Sequence, residues 1–438
     1  MRILILTYGS RGDVQPFVAL GRALEARGHT VTLGTASRFE SFVRDAGLGF
    51  APMSDAMLNL LDTDAGRDMM ESTQGVLQSL KWTVMMARTV GPAQAELIND
   101  SWAAAEAVDP DLIIFHPKTY AGSHIAEKRG IPAVLAMLVP MMVPTGERPN
   151  VGFPDTGWEW WNRFSYRFVN GTMAFSAGRH VREMREKRGL PKQRRFDLLR
   201  DSAGRILPVL NAVSPSVLPA PRDWPDEAVM TGYWFSDLGD WTPPADLEAF
   251  IGAGPPPVYV GFGSMAGRSP DRLAKTVIDA LERTGKRGII ATGWGGLEPG
   301  DLPDTILKIE GAPHEWLFPR MEAIVHHGGA GTTAAAIRAG KPQVIVPFFG
   351  DQPFWGKIMA QHGVAPDPIA QRSLTAEKLS RALTQVTTDP AVAKAAETLG
   401  RKVRAEDGLA RAIEVIEAAA ARAEDVQPEP EPAAARLS

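Results

Sequence analysis

Residues 323–352 read AIVHHGGAGTTAAAIRAGKPQVIVPFFGDQ, and this stretch decides the fold. An apolar strand ends in the pair His326 and His327, three glycines follow at positions 328, 329 and 331, and an alanine-rich helix begins near Thr332. A second apolar strand is expected at residues 343–346. The succession of strand, glycine-rich turn, helix and strand is typical of the βαβ unit of a parallel α/β sheet.

The loop between this first strand and the helix has the chemistry of a diphosphate site. Glycines let backbone N–H groups approach the ligand, a helix N-terminus supplies partial positive charge, and threonine offers a hydroxyl. The loop lacks the lysine of a P-loop and its glycine spacing is not G-x-G-x-x-G, so neither a P-loop ATPase nor a simple dinucleotide fold is indicated. The alternative is a tight turn without a ligand, but such a turn needs about one glycine.

The same alternation of strands and helices runs through both halves of the chain. Apolar runs predict strands in the first half at residues 3–6, 30–33, 112–115 and 133–136. Further strands are predicted in the second half at residues 257–262, 288–291 and 306–309. Each half therefore has the pattern of a doubly wound α/β domain.

The length of 438 residues exceeds one ordinary core and fits two domains of about 200 residues each. A stretch dense in Pro, Gly and Asp separates the halves and predicts a linker, whereas prolines between glutamates near the C-terminus indicate disorder. The expected parts are a first domain at 1–214, a linker at 215–256, a second domain at 257–407, a further helix at 408–425, and a disordered tail at 426–438.

The overall composition excludes several classes of function. A formal net charge of -4 leaves no global positive field, so we expect no nucleic-acid partner and at most peripheral membrane contact. The chain has no cysteine, which excludes disulfides, thiolate zinc sites and a cysteine nucleophile. The first residues hold too short an apolar run for a signal peptide, and no stretch approaches the roughly 20 apolar residues of a membrane span. We therefore expect a soluble, cytoplasmic protein.

Residues 53–100 and 136–180 are unusually rich in methionine and aromatic side chains. They form either ordinary helical core or an adaptable apolar pocket for a large ligand, and the sequence leaves both interpretations open. The residues in question are Met69, Met70, Met85, Met86, Met137, Met141, Met142, Trp158, Trp160 and Trp161.

The glycine-rich stretch resembles the donor-binding signature of nucleotide-sugar-dependent inverting transferases of the GT-B fold, in particular the sterol 3-β-glucosyltransferases and their bacterial natural-product relatives. Four further motifs carry the resemblance in the same order along most of the chain. They are GSRGDVQP at 9–16, TGYWF at 231–235, GFGSM at 261–265 and APHEWLF at 312–318. The resemblance implies two facing Rossmann-like domains with the reaction in the cleft between them. It makes 1–214 the acceptor-binding domain and 257–407 the nucleotide-sugar-binding domain, with the helix at 408–425 returning to the first domain.

Carried over position by position, the resemblance assigns the donor site. The diphosphate is expected at Ser264, His327, Gly329, Ala330, Gly331 and Thr332. Asp351 and Gln352 match the acidic and amide pair that binds the sugar hydroxyls, and the alternative is that they only cap a following helix. The nucleobase is expected near Trp294, Ala312, His314 and Trp316, although a large aromatic residue there is as often plain core.

The catalytic base implied by the resemblance is Asp13, which would take the proton of the acceptor hydroxyl. The alternative is that Asp13 caps the helix entered at Pro16, and one residue can do both. His116 and His124 are the next candidates, although a lone histidine is more often structural. The histidines show no spacing for a metal, so no metal and no cofactor are expected beyond the UDP-sugar co-substrate.

The expected reaction is transfer of glucose from UDP-glucose, or a related nucleotide sugar, to a hydroxyl of a hydrophobic small molecule, with inversion. A TDP-deoxysugar donor remains an alternative. A nucleotide-sugar epimerase or hydrolase is a rival on the same fold. A non-catalytic nucleotide-sugar-binding protein is a rival from another class.

Overall fold

The computed structural model describes residues 1–61, 91–193, 196–236, 241–263, 270–293 and 302–426, and the fold is reported for these residues. Two parallel sheets form its centre. The strands of the first sheet are β1 (Arg2–Leu6), β2 (Thr30–Ala36), β3 (Gly49–Met53), β4 (Leu112–Phe115), β5 (Ala133–Met137), β6 (Val209–Asn211) and β7 (Ala228–Met230). Those of the second are β8 (Val258–Gly261), β9 (Gly288–Ala291), β10 (Ile306–Ile309), β11 (Ile324–His326) and β12 (Gln343–Ile345).

Helices connect the strands and cover the sheets. In the first half they are α1 (Arg11–Ala26), α2 (Glu40–Asp45), α3 (Ala56–Leu61), α4 (Gly91–Val108), α5 (Gly122–Arg129) and α6 (Glu159–Lys187). In the second half they are α7 (Ala245–Gly252), α8 (Pro270–Thr284), α9 (His314–Leu317), α10 (Ala330–Arg338), α11 (Gln352–Gln361), α12 (Ala376–Thr388), α13 (Pro390–Arg404) and α14 (Gly408–Val426). None of the helices within the described ranges is long and apolar enough to cross a membrane.

Both sheets have a doubly wound strand order. The first runs β3-β2-β1-β4-β5-β6-β7 and the second β10-β9-β8-β11-β12, with parallel pairing throughout. In the first sheet β1 lies between β2 and β4, and in the second sheet β8 lies between β9 and β11. On either side of β1 and of β8 the chain connections therefore run in opposite directions. Ligands of such sheets bind at the carboxyl ends of the strands at this switch point. The loops after β1 and β4, and after β8 and β11, are therefore the places to look for a site.

The predicted linker at 215–256 differs from the structure. Strand β7 lies inside it and pairs with β6 through Val229 and Leu210, so the first sheet extends beyond residue 214. Helix α7 also lies inside it. The strand was missed because it is only three residues long and stands among prolines and acidic residues that normally indicate a loop.

Helix α14 packs on the first domain, to which the sequence analysis assigned it. Ala412, Ile413 and Ile416 are buried in the apolar core of the first sheet. The Arg27 guanidinium of the α1 end lies 3.0 Å from the Glu417 carboxylate. Of the predicted tail at 426–438, residues 427–438 lie outside the described part of the chain.

The two halves meet in a shared apolar cluster. Val213 and Met230 of the first half are buried together with Ile337, Trp355 and Met359 of the second. A hydrogen bond of 2.8 Å from Ser214 Oγ to Glu406 Oε1 lies beside this cluster. The two halves are thus joined by buried apolar side chains and by a hydrogen bond beside them.

Candidate active site

Asp13 lies in the first turn of α1, directly after the loop that leaves β1. Its Oδ2 accepts hydrogen bonds from the Ser10 backbone N–H at 2.8 Å and from the Ser10 hydroxyl at 3.1 Å. This is the carboxylate half of a capping box. The helix begins at Arg11 rather than near Pro16 and its N-cap is Ser10, so Asp13 supports the helix start as position N3 and not as the N-cap that the sequence predicted. This leaves its other carboxylate oxygen for a second task.

Lys118 holds that second oxygen. Its Nζ lies 2.8 Å from Asp13 Oδ1, and the lysine follows β4, the strand next to β1. Burial raises the pKa of the Asp13 carboxyl, but Lys118, His116 and the hydrogen bonds from Lys118 and Ser10 together lower it by more, so the resulting pKa lies below the usual range. Asp13 is therefore a carboxylate at neutral pH.

Gly9 makes room for this ion pair. Its φ of +146° is unfavourable for other residues, and a Cβ there would lie 2.2 Å from Asp13 Oδ2 and 2.8 Å from Lys118 Nζ. The motif therefore begins with glycine for a steric reason, because the backbone at position 9 approaches the paired side chains of Asp13 and Lys118 closely.

The two other base candidates have different environments. His116 Nδ1 accepts the Lys118 backbone N–H at 3.3 Å, and burial lowers the pKa of His116 to about 3, which makes the ring a poor base. His124 is buried on α5, where Arg185 lies 2.9 Å from its Nδ1 and also binds Glu127. His124 is thus structural, as a lone histidine most often is.

The two histidines at the end of β11 have different environments: His326 is structural, whereas His327 is available to a ligand. His326 is fully buried, its Nδ1 accepts the Gly328 N–H at 3.1 Å, and its Nε2 lies 2.9 Å from Gln343 Oε1. His327 Nδ1, in contrast, is buried without a hydrogen-bond partner in the part of the chain that the structure describes. Burial lowers the pKa of His327 to about 4, so the ring is neutral and binds a ligand by hydrogen bonding rather than by charge.

The N-terminus of α10 provides backbone donors beside His327. Gly329 is the N-cap without a side-chain cap, and the first helical bond runs from Thr333 N to Gly329 O at 2.9 Å. The N–H groups of the first turn therefore have no partner within the helix. A Cβ at Gly329 would lie 2.4 Å from His327 Nε2, whereas one at Gly331 would meet nothing within 4 Å. Gly329 leaves room for the His327 ring, and Gly331 places no side chain at the open end of the helix.

The structure thus brings together the predicted diphosphate residues His327, Gly329, Ala330, Gly331 and Thr332. The remaining predicted contact, Ser264, lies outside the described residues.

Asp351 and Gln352 begin α11 near the same cleft. Asp351 is at the N-cap position, but its side chain does not cap the helix, because Oδ2 accepts the Trp355 indole N–H at 2.8 Å. Burial raises the pKa of Asp351, and the carboxylate of Asp13 raises it further. The carboxylate of Asp13 in the first domain is thus close enough to Asp351 of the second for its charge to act on that residue.

Gln352 has a structural task that the sequence did not reveal. Its Oε1 accepts the backbone N–H groups of Phe348 and Phe349 at 2.7 and 3.2 Å, and the residue is buried. These bonds fix the turn that presents Asp351 to the cleft.

The predicted nucleobase region lies around α9. His314 stacks on Phe318 at 4.1 Å and 15°, and burial lowers the pKa of His314 to about 4. Trp316 meets Trp241 edge-on at 5.3 Å and carries the Arg320 guanidinium over its ring at 4.2 Å. Both rings are thus engaged with protein groups, Ala312 is half-buried beside them, and Trp294 lies outside the described residues.

The methionine-rich and aromatic residues of the first half separate into two groups. Met137 and Met142 are core residues, 1% and 2% exposed. Trp158 and Trp160 are instead 60% and 61% exposed, so neither is core. Met69, Met70, Met85 and Met86 lie outside the described residues.

Comparison with known proteins shows the family to which this chain belongs. Residues 3–144 match the glycosyltransferase family 28 N-terminal domain, and residues 279–419 match the C-terminal domain of erythromycin biosynthesis protein CIII-like proteins. The chain is 35% identical over 432 residues to sterol 3-beta-glucosyltransferase UGT80B1 of Arabidopsis thaliana, covering 95% of this chain and 68% of that protein. The chain belongs to the sterol 3-beta-glucosyltransferase family.

Other members of the sterol glucosyltransferase family are longer. Sterol 3-beta-glucosyltransferase UGT80A2 of Arabidopsis thaliana is 36% identical over 95% of this chain, which spans 65% of that protein's length. The sterol 3-beta-glucosyltransferase of Aspergillus clavatus is 37% identical over 95% of this chain, which spans only 29% of it.

Solved structures share the fold at lower identity. The glycotransferase of kitacinnamycin has a TM-score of 0.69 at 21% identity, covering 95% of this chain and 98% of its own. The glycosyltransferase SnogD from Streptomyces nogalater has a TM-score of 0.63 at 21% identity, covering 96% and 99%. This sterol glucosyltransferase family member has the GT-B fold that its sequence implies.

Lys118 is the residue of this family member that sequence reasoning missed. The available signal was its position two residues beyond His116, after the strand that neighbours β1 in the usual doubly wound order.

Within the described ranges no group of three or more histidine, aspartate or glutamate side chains could hold a metal ion.

Proposed function

We propose that the chain is an inverting glycosyltransferase that moves glucose, or a related hexose, from UDP to a hydroxyl of a hydrophobic acceptor such as a sterol. One observation carries the proposal. Asp13 of the first domain is an ionised carboxylate close enough to Asp351 of the second to raise its pKa, and the second domain also carries a helix N-terminus with open backbone donors beside His327, whose buried Nδ1 has no partner among the described residues. The names of the family members at about 36% identity support glucose and a sterol as the substrates.

The donor diphosphate lies against the first turn of α10 in this proposal. Backbone N–H groups of Ala330, Gly331 and Thr332 donate to its oxygens, and the neutral His327 donates one further hydrogen bond. Gly329 leaves room for the His327 ring, and the position of Gly331 is open on the side where a Cβ would lie. These donors stabilise the charge that develops on the leaving group, so we propose that the reaction requires no metal ion.

The acceptor hydroxyl binds to Asp13 on the opposite side of the sugar. Asp13 Oδ2 already accepts two hydrogen bonds and Oδ1 accepts one from Lys118, so Oδ1 keeps a second acceptor position for the hydroxyl. As the acceptor oxygen forms its bond to the anomeric carbon, its proton passes to Asp13. The bond from that carbon to the diphosphate oxygen breaks, the electron pair leaves with UDP, and the anomeric configuration inverts.

Asp351 holds the hexose in position by accepting from its hydroxyls. Its raised pKa follows from burial, and sugar hydroxyls that donate to it replace the lost hydration of the carboxylate. Gln352 supports it by fixing the turn at Phe348. We propose a cytoplasmic location for the reaction, where nucleotide sugars are available in a reducing compartment.

A thymidine-linked donor is the second candidate for the same site. The observation in its favour is structural similarity to glycosyltransferase VinC in complex with dTDP, with a TM-score of 0.65 at 21% identity. Direct competition between UDP-glucose and TDP-glucose at equal concentration distinguishes the two donors.

The decisive experiment is a mass-spectrometric transfer assay with UDP-glucose and a panel of sterols. Each sterol with a free 3-hydroxyl is paired with its 3-O-methyl ether, which has the same apolar body but no nucleophile. We expect a product one hexose heavier from the free sterol and none from the ether. Release of free glucose or a change in the sugar without any acceptor supports the hydrolase or epimerase rival, and tight UDP-glucose binding without turnover on any acceptor supports a non-catalytic protein.

A further inference from the structure

His116 is a buried side chain next to the proposed base, and the proposed reaction leaves it without a task. It directly follows β4, and its backbone N–H donates to the Leu6 carbonyl at the end of β1 at 2.8 Å. The Thr119 hydroxyl lies 3.2 Å from the same carbonyl oxygen and 2.7 Å from that of His116. The turn after β4 is thus fixed to the end of β1, the strand that leads to Asp13.

Two contacts determine the orientation and the protonation of the His116 ring. Phe17 of α1 meets it edge-on, with the ring centroids 6.1 Å apart and an angle of 89° between the planes. Nδ1 accepts the backbone N–H of Lys118 at 3.3 Å, and a neutral imidazole has one acceptor and one donor nitrogen, so the proton lies on Nε2. Burial lowers the pKa of His116 to about 3, so the ring is neutral at pH 7 and Nε2–H is a hydrogen-bond donor.

This Nε2–H donor is open to a ligand. It has no hydrogen-bond partner among the described residues, and in contrast to Nε2 of His124 it is not enclosed by protein atoms. Only 9% of the residue is exposed, and the accessible part includes this nitrogen. A structural histidine such as His326 uses both ring nitrogens within the protein, whereas His116 uses one and leaves the other available.

Asp13 and Lys118 are the charged groups next to the His116 ring. Burial is the largest cause of the low pKa of His116, the Lys118 ammonium lowers it further, and the Asp13 carboxylate opposes both. Lys118 binds Asp13 Oδ1 through Nζ at 2.8 Å and His116 Nδ1 through its backbone N–H. One residue thus ties the donor ring and the acceptor carboxylate together at the carboxyl ends of β1 and β4.

An attacking hydroxyl needs three directions to be set. Its proton must face the base, one lone pair must face the anomeric carbon, and the second lone pair is left for a donor. Asp13 sets only the first direction, because a hydroxyl held through its proton alone can rotate about that hydrogen bond. A neutral imidazole donates less strongly than a cation, so His116 can orient the oxygen with little loss of its nucleophilicity.

We propose that His116 is a further catalytic residue, which donates from Nε2 to the acceptor oxygen and directs the remaining lone pair toward the anomeric carbon. The ring keeps its own proton throughout, while the acceptor proton passes to Asp13 and the electron pair of the broken bond leaves with the nucleotide. This inference rests on the proposed transfer of a hexose to a hydroxyl.

The test compares replacements of His116 in the whole chain. His116→Met removes the donor and is expected to lower the single-turnover rate at saturating sterol by about 10–100-fold, since a misplacement of about 1 Å can cost about 10²-fold. His116→Phe, which keeps a ring beside Phe17, is expected to show the same loss and replaces His116→Met if that variant is unstable. His116→Gln keeps an N–H near the position of Nε2 and is expected to recover most of the rate. Calorimetry should give unchanged affinities for UDP and UDP-glucose, because the ring binds the acceptor.

Thr119→Val is the matched control. It removes the hydroxyl that holds the same turn but keeps the His116 ring, and it is expected to transfer within a few-fold of the parent even where its Tm falls. Equal losses in His116→Met and Thr119→Val overturn the proposal, because the turn and not the donor would then matter. A His116→Gln variant as slow as His116→Met also overturns it, as does a loss of affinity for UDP-glucose without one for UDP, which places the ring on the sugar.

The parent protein separates this inference from the proposed function. A parent that transfers no hexose to any sterol overturns the proposed function and this inference with it. A parent that transfers hexose, together with His116→Met at the rate of the parent, overturns only the role of His116.

Discussion

Replacing Asp13 with asparagine separates the two tasks that the structure gives this side chain. The amide oxygen can still accept from the Ser10 N–H, but the amide NH2 then faces the Lys118 ammonium, so one of the two contacts is lost. The Lys118 pair is partly exposed and contributes under about 1 kcal/mol. The Asn side chain keeps the bond to the Ser10 N–H at position N3 of the capping box, so we expect a total loss of stability of about 1 kcal/mol.

The effect on catalysis is expected to be much larger. Loss of a general base lowers turnover by about 10²–10⁴-fold, which corresponds to roughly 2.7–5.4 kcal/mol in the activation barrier. Affinity for UDP should stay unchanged, because the diphosphate cradle lies on α10 of the other domain. A destabilisation of about 1 kcal/mol, which lowers the Tm of a domain of this size by about 2–4 °C, cannot account for such a rate loss.

Ser10→Ala is the matched control for this experiment. It removes the 3.1 Å hydrogen bond to the same carboxylate and weakens the same helix end by about 1 kcal/mol, but it leaves the carboxylate in place. We therefore expect similar Tm values for both variants and a turnover defect only for Asp13→Asn, measured by single-turnover transfer to a sterol with UDP binding followed by calorimetry. Turnover of Asp13→Asn within a few-fold of Ser10→Ala refutes Asp13 as the base.

Three further predictions concern the same cleft. Lys118→Met removes the cation that holds the pKa of Asp13 below its usual range, so this pKa rises and the acid limb of the pH–rate profile moves to higher pH without loss of the neutral plateau; an unmoved limb contradicts this role. His327→Ala should weaken UDP binding in calorimetry by roughly 10–150-fold, because a hydrogen bond to a charged group contributes about 1.5–3 kcal/mol, and unchanged affinity removes His327 from the site. EDTA should leave transfer intact, whereas activity that returns only with Mg²⁺ or Mn²⁺ contradicts a metal-independent reaction.

The sequence predicts the parts of this fold whose signals are local. The glycine-rich stretch after β11 specifies a strand, a turn and a helix within residues 323–346, because glycine freedom and apolar runs act over a few positions. Strand β7 was missed for the opposite reason. Its three residues gain their stability from pairing with β6, and a short apolar run among prolines gives no local indication of that partner.

Candidate site residues could be predicted where a single residue type in a short motif indicates a function. They could not be predicted where the arrangement depends on two segments that are distant in the sequence. His327 and the glycines beside it were identified from the motif, but the ion pair of Asp13 with Lys118 joins residues 105 positions apart and depends on β1 and β4 being neighbours. The turn-holding role of Gln352 was hidden for a similar reason, since its amide looks equally suited to a sugar.

The charges of the described side chains indicate which side of the cleft suits the donor. Asp13 and Asp351 carry up to two negative charges and Lys118 returns one, while the Arg11 cation acts on His314 of the second domain, so the Asp13 side is the less favourable place for a diphosphate. The neutral His327 supplies no cation of its own, so the backbone dipoles at the start of α10 contribute attraction there. We therefore propose that the diphosphate binds to the second domain, with the anomeric carbon between the leaving nucleotide and the Asp13 carboxylate. The proposed base and the leaving group then lie on opposite faces of the sugar, which is the geometry that the proposed inversion requires.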